Sequence, residues 1–186
     1  MKLSVGIITY NQQETIAQTL DSILCQQGDF ELEVVVGEDC STDNTWAICQ
    51  EYAERYPEQV VLLKNTHNLG IMANFARVMK ACTGEYVGIC AVDDYWCDEH
   101  KLQKQLDYFI AHPECGVCTT GGYRYLVRRD EMVEGLAPWN PIEDGDVSKH
   151  YFSKSYQGGV YAMPLSMLFK RELLQYIDFD VFIERG

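Results

Sequence analysis

The sequence is poor in positive charge. Of its 186 residues, 15 are Lys or Arg and 28 are Asp or Glu, which gives a formal net charge of −13 at pH 7. Proteins that bind nucleic acid or anionic membranes need a basic surface, so this deficit argues against both as partners. A nucleotide is still compatible with the acidic balance if a metal ion or backbone N–H groups offset the charge of its phosphates.

The sequence also lacks long apolar runs. No stretch reaches the ~18 consecutive apolar residues of a membrane span, and the N-terminus has neither the length nor the cleavage site of a secretory signal. The eight cysteines are therefore interpreted as free thiols of a cytoplasmic protein. Cys115 and Cys118 have the spacing of a redox or zinc pair, but no second pair accompanies them, so we interpret them as strand residues.

What the sequence does contain is an alternation of two patterns. Four short apolar runs predict buried strands, at residues 3–9, 32–36, 60–63 and 86–92. The segments that follow them repeat apolar residues at helical spacing, with Asn11 placed to cap the first helix and Asp98 the fourth. This order predicts an α/β, Rossmann-like fold with a mostly parallel central sheet and helices on both faces.

The second half of the chain is less regular. Further strands are predicted at residues 115–127 and 158–169, followed by a short helix at residues 171–176. Between these strands, residues 128–157 lose any periodicity and are rich in Pro, Gly and acidic residues, which predicts a long mobile loop.

Acidic residues directly follow two of the predicted strands. Glu38 and Asp39 follow the second strand, and Asp93 and Asp94 follow the fourth. Because the carboxyl ends of parallel strands meet at one edge of a sheet, both pairs are expected to face one crevice, beside the polar end of the first strand. Adjacent carboxylates repel each other, and a divalent cation such as Mg²⁺ or Mn²⁺ relieves that repulsion. Taken alone, Asp93 and Asp94 would be interpreted more readily as a solvated acidic turn that ends a strand, because acidic turns are common; the recurrence of acids after two strands favours a site.

Four motifs, in this order, resemble the family-2 glycosyltransferases, whose nucleotide-sugar-binding domain is a Rossmann-like unit of the type called GT-A. They are Ser-Val-Gly-Ile-Ile-Thr-Tyr-Asn ending at Asn11, Val-Val-Val-Gly-Glu-Asp-Cys-Ser-Thr-Asp ending at Asp43, Asn-Leu-Gly ending at Gly70, and Asp-Asp-Tyr-Trp ending at Trp96. The last is similar to a bacterial subgroup, and it occupies the place of the family's metal-binding Asp-x-Asp motif. Together the motifs cover about the first 125 residues.

The resemblance implies roles for these residues. Thr9 and Tyr10 would line the pocket for the nucleobase and ribose, and Asp39 would contact the base. Asp94 would bind the metal ion directly, and Asp93 would lie near the ribose or diphosphate as a second ligand. The other implied nucleotide-sugar contacts are Asn11, Glu38 and Asn68.

The activity implied is metal-dependent transfer of a sugar from a nucleoside-diphosphate donor, with a UDP-sugar favoured, to a hydroxyl of a glycan or lipid-linked acceptor. Inversion at the sugar, a role in bacterial surface polysaccharide synthesis and a place at the inner face of the membrane are implied as well. The chain departs from the family's pattern in two places. Ala91 stands where many relatives have an acidic residue, which removes any contact from that position, and Glu38 stands where an aspartate is usual.

We expect residues 1–186 to form a single GT-A domain, with a nucleotide-binding half at 1–112 and the start of an acceptor-side half at 113–186. An inverting transferase needs a carboxylate base opposite the leaving group. On the resemblance, this base is expected beyond Gly186 in a longer protein. Fallback candidates within the chain are Asp178, Asp180 and Glu184.

Three other functions share parts of the pattern. A non-catalytic nucleotide-sugar-binding module would keep the pocket and lack the base. A sugar nucleotidyltransferase would need a glycine-rich, basic loop after the first strand, where this chain has Tyr-Asn-Gln-Gln-Glu-Thr starting at Tyr10. A receiver-like signalling domain would need paired acids after the first strand, which here ends in Thr9 and Tyr10.

Overall fold

A computed structural model of the chain describes residues 1–126, 131–134 and 164–185. The strands are β1 Lys2–Thr9, β2 Glu31–Glu38, β3 Val60–Lys64, β4 Tyr86–Ile89, β5 Val117–Cys118, β6 Tyr123–Leu126, β7 Glu131–Glu134 and β8 Leu168–Lys170. The α-helices are α1 Ile16–Leu24, α2 Thr45–Arg55, α3 Ile71–Ala81, α4 Lys101–Ala111 and α5 Phe179–Arg185, and short 3-10 helices span Pro164–Ser166 and Arg171–Tyr176. None of the helices in these ranges is long and apolar enough to span a membrane.

The main sheet has the strand order β3-β2-β1-β4-β8-β5. The first four strands in this order pair in parallel, whereas β8 runs antiparallel to both β4 and β5. A separate antiparallel ribbon consists of β6 and β7. The mostly parallel, Rossmann-like sheet predicted from the sequence is therefore confirmed.

The alternation of side chains along the strands divides the core between the two faces of the sheet. Leu3, Val5 and Ile7 of β1 pack with buried residues of α1, α2 and α4 on one face. Val35 of β2 and Val87 of β4 pack with α3 and α5 on the other. Full burial of each such side chain contributes about 1.5–3 kcal/mol. Helices thus cover both faces, as predicted.

Helix α3 approaches its sheet face closely because two strand residues have no side chain. A Cβ atom at Gly6 would lie 2.4 Å from Met79 Cε, and one at Gly37 would lie 2.5 Å from Asn74 Oδ1. A strand glycine often marks such a close approach. The approach brings Asn74 to the end of β2, where its Nδ2 donates a hydrogen bond to the Gly37 carbonyl at 2.8 Å.

The predicted helix caps were wrong. Helix α1 begins at Ile16, and its N-cap residue Thr15 makes no side-chain capping hydrogen bond. Asn11 instead adopts a φ of 53°, a left-handed conformation that asparagine tolerates better than most residues, and belongs to the preceding loop. Asp98 precedes the N-cap of α4, His100, and accepts a hydrogen bond from its backbone N–H at 3.0 Å.

The two later strands are shorter than predicted. The strand expected at residues 115–127 is divided into β5 and β6, because Thr-Thr-Gly-Gly at residues 119–122 interrupts it. Of the strand expected at 158–169, residues 158–163 lie outside the described residues, a 3-10 helix follows from Pro164, and β8 begins only at Leu168. Proline has no N–H to donate to a sheet. The loop predicted at 128–157 also lies outside the described residues except for β7, and the helix at 171–176 is confirmed.

Candidate functional site

The structure brings together the ends of β1, β2 and β4 at one edge of the sheet. Thr9 and Glu38 are register partners in adjacent parallel strands, and the Asp39 N–H donates to the Thr9 carbonyl at 3.0 Å. Strand β4 lies on the other side of β1, and Asp93 and Asp94 follow it. The predicted site residues of three strands therefore lie at the same carboxyl edge.

The loops that follow β1 and β2 are joined by hydrogen bonds. The Asn11 N–H donates to Ser41 Oγ at 2.9 Å, and Asn11 Oδ1 accepts from the Thr42 N–H at 2.8 Å. The Gln12 N–H donates to Thr45 Oγ1 at 2.8 Å. Asn11 thus shapes the rim of the crevice by connecting its two loops.

The end of β1 offers groups without an intramolecular partner. Thr9 is 3% exposed, and its Oγ1 is the only buried side-chain polar atom in the described part of the chain without a hydrogen bond. A buried hydroxyl in that state costs free energy that a ligand hydrogen bond would recover. The next residue, Tyr10, is 44% exposed, so its ring is accessible to a ligand.

Asp39 is the centre of a preformed hydrogen-bond cluster. Its carboxylate, 3% exposed, accepts at Oδ1 from Asn65 Nδ2 and the Leu69 N–H, both at 2.7 Å, and at Oδ2 from the Gly70 N–H at 2.9 Å. Asn68 Oδ1 also accepts from the Gly70 N–H, at 3.0 Å. The loop between β3 and α3 therefore closes around Asp39, and one side of Oδ2 keeps free acceptor capacity.

Behind Asp39 lies a chain of polar side chains to which the sequence analysis assigned no role. Asn65 Oδ1 accepts from the guanidinium of Arg77, and Asn65 Nδ2 also lies 3.2 Å from Asn74 Oδ1. Because a guanidinium only donates, this contact sets the orientation of the Asn65 amide. The sequence did contain one indication of a role for Asn65, because Asn65, like the acids, is a polar residue that directly follows a strand.

Glu38 holds the turn that carries Asp39. It is 1% exposed, and its carboxylate accepts from the Ser41 N–H at 2.7 Å and the Cys40 N–H at 3.3 Å. Cys40 has a φ of 63°, so the turn contains a left-handed residue that these hydrogen bonds help to retain. The structure therefore gives Glu38 a part in holding the turn, and its predicted contact with the nucleotide sugar stays a prediction.

The second acid pair has a different environment. Asp93 is exposed and Asp94 half-buried, and neither carboxylate has a hydrogen-bond or ion-pair partner in the described part of the chain. Burial, together with the charge of Asp93, raises the pKa of Asp94 above its ordinary value. Two oxygen-ligand groups in such an uncompensated pair fit a hard divalent cation. The described residues contain no group of three potential ligands, so substrate phosphates and water would have to complete the coordination.

The residues that follow this pair anchor its loop. Trp96 is 6% exposed, its Nε1 donates to the Leu165 carbonyl at 2.9 Å, and Lys101 Nζ lies 4.2 Å from the centroid of its ring. Burial lowers the pKa of Lys101 to about 8, and its Nζ donates to Gln105 Oε1 at 2.7 Å. Trp96 is thus a packing residue, whereas Tyr95 is 39% exposed.

The fallback base candidates lie on a separate element. Asp178 Oδ1 accepts from the Asp180 and Val181 N–H groups, both at 3.1 Å, at the start of α5. Asp180 and Glu184 are exposed on that helix, which packs against α3. A cleft of about 340 Å³ between α3 and the 3-10 helix Arg171–Tyr176 contains none of the predicted site residues.

The mostly parallel sheet with helices on both faces is the architecture of the GT-A type. The structure resembles that of TarS 1–349 from S. aureus in complex with UDP, with a TM-score of 0.65 at 23% identity over 98% of this chain and 50% of that one. It also resembles the mannosyltransferase PcManGT from Pyrobaculum calidifontis in complex with GDP-Man and Mn²⁺, with a TM-score of 0.66 at 23% identity over 95% and 46% of the two chains. At these identities the likeness concerns the fold, and it confirms the GT-A assignment.

The chain belongs to glycosyl transferase family 2, whose pattern it matches over residues 4–177. It is 44% identical to the uncharacterized protein Mb1547 of Mycobacterium bovis over 116 residues, covering 62% of this chain and 34% of that one. It is 33% identical to the putative teichuronic acid biosynthesis glycosyltransferase TuaG of Bacillus subtilis over 119 residues, which cover 63% and 46%. Over 192 aligned positions it is 28% identical to the abequosyltransferase RfbV of Salmonella typhimurium, covering 97% and 56%. The chain thus spans roughly a third to just over half of these relatives' lengths.

Proposed function

We propose that this chain is the donor-binding part of a metal-dependent, inverting glycosyltransferase. It would move a sugar from a nucleoside diphosphate, UDP being favoured, to a hydroxyl of a glycan or lipid-linked acceptor in bacterial surface polysaccharide synthesis. Residues 1–112 would form the nucleotide-binding half, on the cytoplasmic side of the membrane. Family membership and the named functions of the relatives TuaG and RfbV support this class of reaction.

One observation carries the proposal. The pair Asp93 and Asp94, whose carboxylates have no partner among the described residues, lies at the same sheet edge as the preformed cluster around Asp39. At one end of this edge, Asp39 can therefore accept a hydrogen bond from an uncharged nucleobase. At the other end, Asp93 and Asp94 can attract a cation. A nucleoside diphosphate held with a metal ion needs both environments, with the base and the diphosphate at opposite ends.

The chemistry of Asp39 supports uracil or guanine at the base end. An ionised carboxylate only accepts hydrogen bonds. A ligand that bonds to the free side of Asp39 Oδ2 must therefore donate an N–H. Uracil and guanine present an N–H at the ring nitrogen of their pairing edge, whereas cytosine presents an acceptor there. Thr9 Oγ1 and the ring of Tyr10 would complete this end, and Asn68 would hold the loop beside it.

At the other end, Asp94 would be the direct metal ligand and Asp93 the second. A divalent cation, Mn²⁺ or Mg²⁺, supplies Lewis-acid stabilisation of the charge that develops on the diphosphate leaving group. The two carboxylates would orient the diphosphate, so that the sugar carbon is exposed on its opposite face. We assign the acceptor base to none of the described acids, because Asp178 caps α5 and Asp180 and Glu184 are exposed on it.

A calorimetric screen of UDP, GDP, CDP and dTDP, each with and without Mn²⁺, tests the proposal. We expect UDP or GDP to bind more tightly than CDP and to bind more tightly still with Mn²⁺. Asp94→Ala should remove the Mn²⁺-dependent part and leave the metal-free part unchanged. Asp107→Ala is the matched control, because Asp107 is an exposed acid of α4 that contacts only Gln103 in the described part of the chain.

Two results would contradict the proposal: no nucleoside diphosphate binds, or Asp94→Ala and Asp107→Ala behave alike. Metal-dependent binding without donor hydrolysis or transfer, even in a longer form of the protein that includes any sequence after residue 186, would favour the non-catalytic module instead.

A further inference from the structure

Helix α1 carries a row of polar side chains beside its apolar stripe. Thr19 and Ser22 lie within the helix and Gln26 just after its end, at helical spacing, and they are 1%, 8% and 9% exposed. The apolar stripe of Ile16, Leu20 and Ile23 explains the packing of the helix on the sheet. It does not explain buried hydroxyl and amide groups, which need partners to offset their burial.

The partners of this row are backbone groups of the loop that carries Asp93 and Asp94. Thr19 Oγ1 lies 2.8 Å from the Val92 carbonyl and 2.7 Å from the Asp94 carbonyl. Further along, Ser22 Oγ accepts from the Trp96 N–H at 3.1 Å, and Gln26 Nε2 donates to the Asp98 carbonyl at 2.7 Å. Every second residue from 92 to 98 is therefore bonded to the same face of α1.

This loop depends on α1 because it has little regular structure of its own. Residues 90–98 contain neither helix nor strand, and within this segment the Asp94 N–H donates a backbone hydrogen bond to the Ala91 carbonyl at 3.1 Å. The Thr19 hydroxyl contacts the peptide group of Asp94 itself, so it sets the position of the atoms from which that carboxylate projects. Ser22 Oγ also donates to the Thr19 carbonyl at 2.8 Å, which links the two hydroxyl residues.

We propose that Thr19 is the positioning residue for the metal-binding carboxylates, acting through the Val92 and Asp94 carbonyls. The proposal rests on the proposed function, since it assumes that Asp94 binds the metal ion. Thr19 itself touches neither metal nor nucleotide. Its removal should therefore weaken the metal-dependent component of nucleotide binding and leave the contacts at the base end as they are.

The test compares Thr19→Val with Thr19→Ser in calorimetric titrations of UDP over a series of Mn²⁺ concentrations. Valine has the shape of threonine without the hydroxyl, whereas serine keeps the hydroxyl. We expect the Mn²⁺ concentration needed for half of the metal-dependent effect to rise about tenfold in Thr19→Val, because the one hydroxyl proton that the Val92 and Asp94 carbonyls share is lost. Thr19→Ser should stay within about twofold of wild type, and UDP affinity without metal should be unchanged in both.

Thr83→Val is the matched control for a purely structural effect. Thr83 Oγ1 donates to Glu33 Oε1 at 2.7 Å at the opposite edge of the sheet, so its loss should lower stability without changing the response to Mn²⁺. If Thr19→Val does not fold, Ser22→Ala provides the second measurement. It removes the acceptor of the Trp96 N–H, and we expect about a threefold weaker response to Mn²⁺.

The outcomes separate this inference from the function on which it rests. Wild-type protein whose UDP binding ignores Mn²⁺ would overturn both. Wild-type protein that responds to Mn²⁺, with Thr19→Val responding equally, would overturn the positioning role alone. An equal change in Thr19→Val and Thr83→Val would show that lost stability, and not the position of Asp94, causes the effect.

Discussion

The two acid pairs at the carboxyl edge of the sheet have similar sequences and opposite environments. Glu38 and Asp39 are 1% and 3% exposed, and their carboxylates accept hydrogen bonds from five N–H donors in all. Asp93 is exposed, Asp94 half-buried, and neither has such a partner in the described part of the chain. The first pair is compensated by hydrogen bonds within the protein, whereas the second lacks such compensation among the described residues and is our proposed cation site.

The two acid pairs are therefore oriented in different ways. At the first pair the folding of the chain itself orients the carboxylate, so a ligand finds a formed acceptor and has little to reorganise. At the second pair the loop is held through its backbone by α1, while the charged groups remain free to take up a metal ion. Variants at the two pairs should therefore differ most in their effect on stability.

The largest loss of stability is expected for Asp39→Ala. It leaves the Asn65 amide and the Leu69 and Gly70 N–H groups without an acceptor in a buried place. We expect the free energy of unfolding to fall by about 3 kcal/mol, measured by urea denaturation without nucleotide. Asp107→Ala serves as the exposed control and should change it by less than about 0.5 kcal/mol. A similar small change for Asp39→Ala would remove the contrast between the two pairs.

A smaller loss is expected for Glu33→Gln, which changes a compensated acid at the other edge of the sheet. Glu33 accepts from Lys2 Nζ at 2.7 Å, Ser4 Oγ at 2.5 Å, and the Thr83 N–H and Oγ1 at 2.8 and 2.7 Å. Burial alone would raise its pKa, but these hydrogen bonds lower the pKa from 4.5 to about 2. We expect a loss of about 2 kcal/mol at neutral pH, with nucleotide binding unchanged.

The pH dependence of this effect has a definite sign. Because the pKa of Glu33 is lower in the folded protein, its ionised form stabilises the fold above pH 4.5, and that contribution is lost as the pH falls towards 2. The difference between wild type and Glu33→Gln in denaturant midpoint should therefore shrink over this range. A difference that stays constant with pH would contradict the lowered pKa.

A third, still smaller effect is expected behind Asp39, at Arg77. Its guanidinium orients the Asn65 amide, which in turn donates to Asp39. Arg77→Met should cost about 1 kcal/mol and weaken metal-free UDP binding about threefold, in calorimetry. Arg55→Met is the control, because Arg55 pairs with the exposed Glu51 and lies 5.5 Å from the centroid of the Tyr52 ring on α2, where such exposed contacts contribute little.

The smallest effect on stability is expected for Asp94→Asn. The raised pKa of Asp94 means that its ionised form destabilises the metal-free fold, so the stability of the wild type relative to Asp94→Asn should decline as the pH rises just above the ordinary value of 3.8. Asp94→Asn should lack this decline and equal or slightly exceed the wild type in urea denaturation at neutral pH. With UDP and Mn²⁺ added, the order should reverse, because only the wild type gains the metal. A large loss of stability in metal-free Asp94→Asn would show that this pair is compensated within the protein.

Much of the fold was predictable because its signals are local. Apolar runs of strand length and helical stripes such as Ile16, Leu20 and Ile23 are determined by residues close together in the chain. The predictions that were wrong involve longer connections. Asn11 was assigned to the helix that follows it, but it accepts a hydrogen bond from Thr42, 31 residues away. The strand expected at 158–169 was placed by composition alone, and β8 is only the three residues that pair with β4.

The candidate site was predictable only as a set of positions. Polar residues at strand ends identify the edge, since parallel strands must bring their carboxyl ends together. The individual roles given to Thr9, Tyr10, Asn68, Asp93 and Asp94 stay predictions. The partners of the acids could not be read from the sequence, because Asp39 bonds to a loop about 30 residues away, and the loop of Asp94 bonds to Thr19 across 75 residues.

By itself, the amino-acid sequence determined the alternation of strands and helices, the parallel sheet that follows from it, and the placing of acids at one edge. These depend on hydrophobic periodicity and on the geometry of β-α-β connections, which act over short distances. Only the tertiary structure decided which acids are stabilised by hydrogen bonds and which have no such partner in the described part of the chain. That outcome depends on α3 approaching at Gly37 and on Thr19 of α1 bonding to the loop that follows β4, which are contacts between segments far apart in the chain.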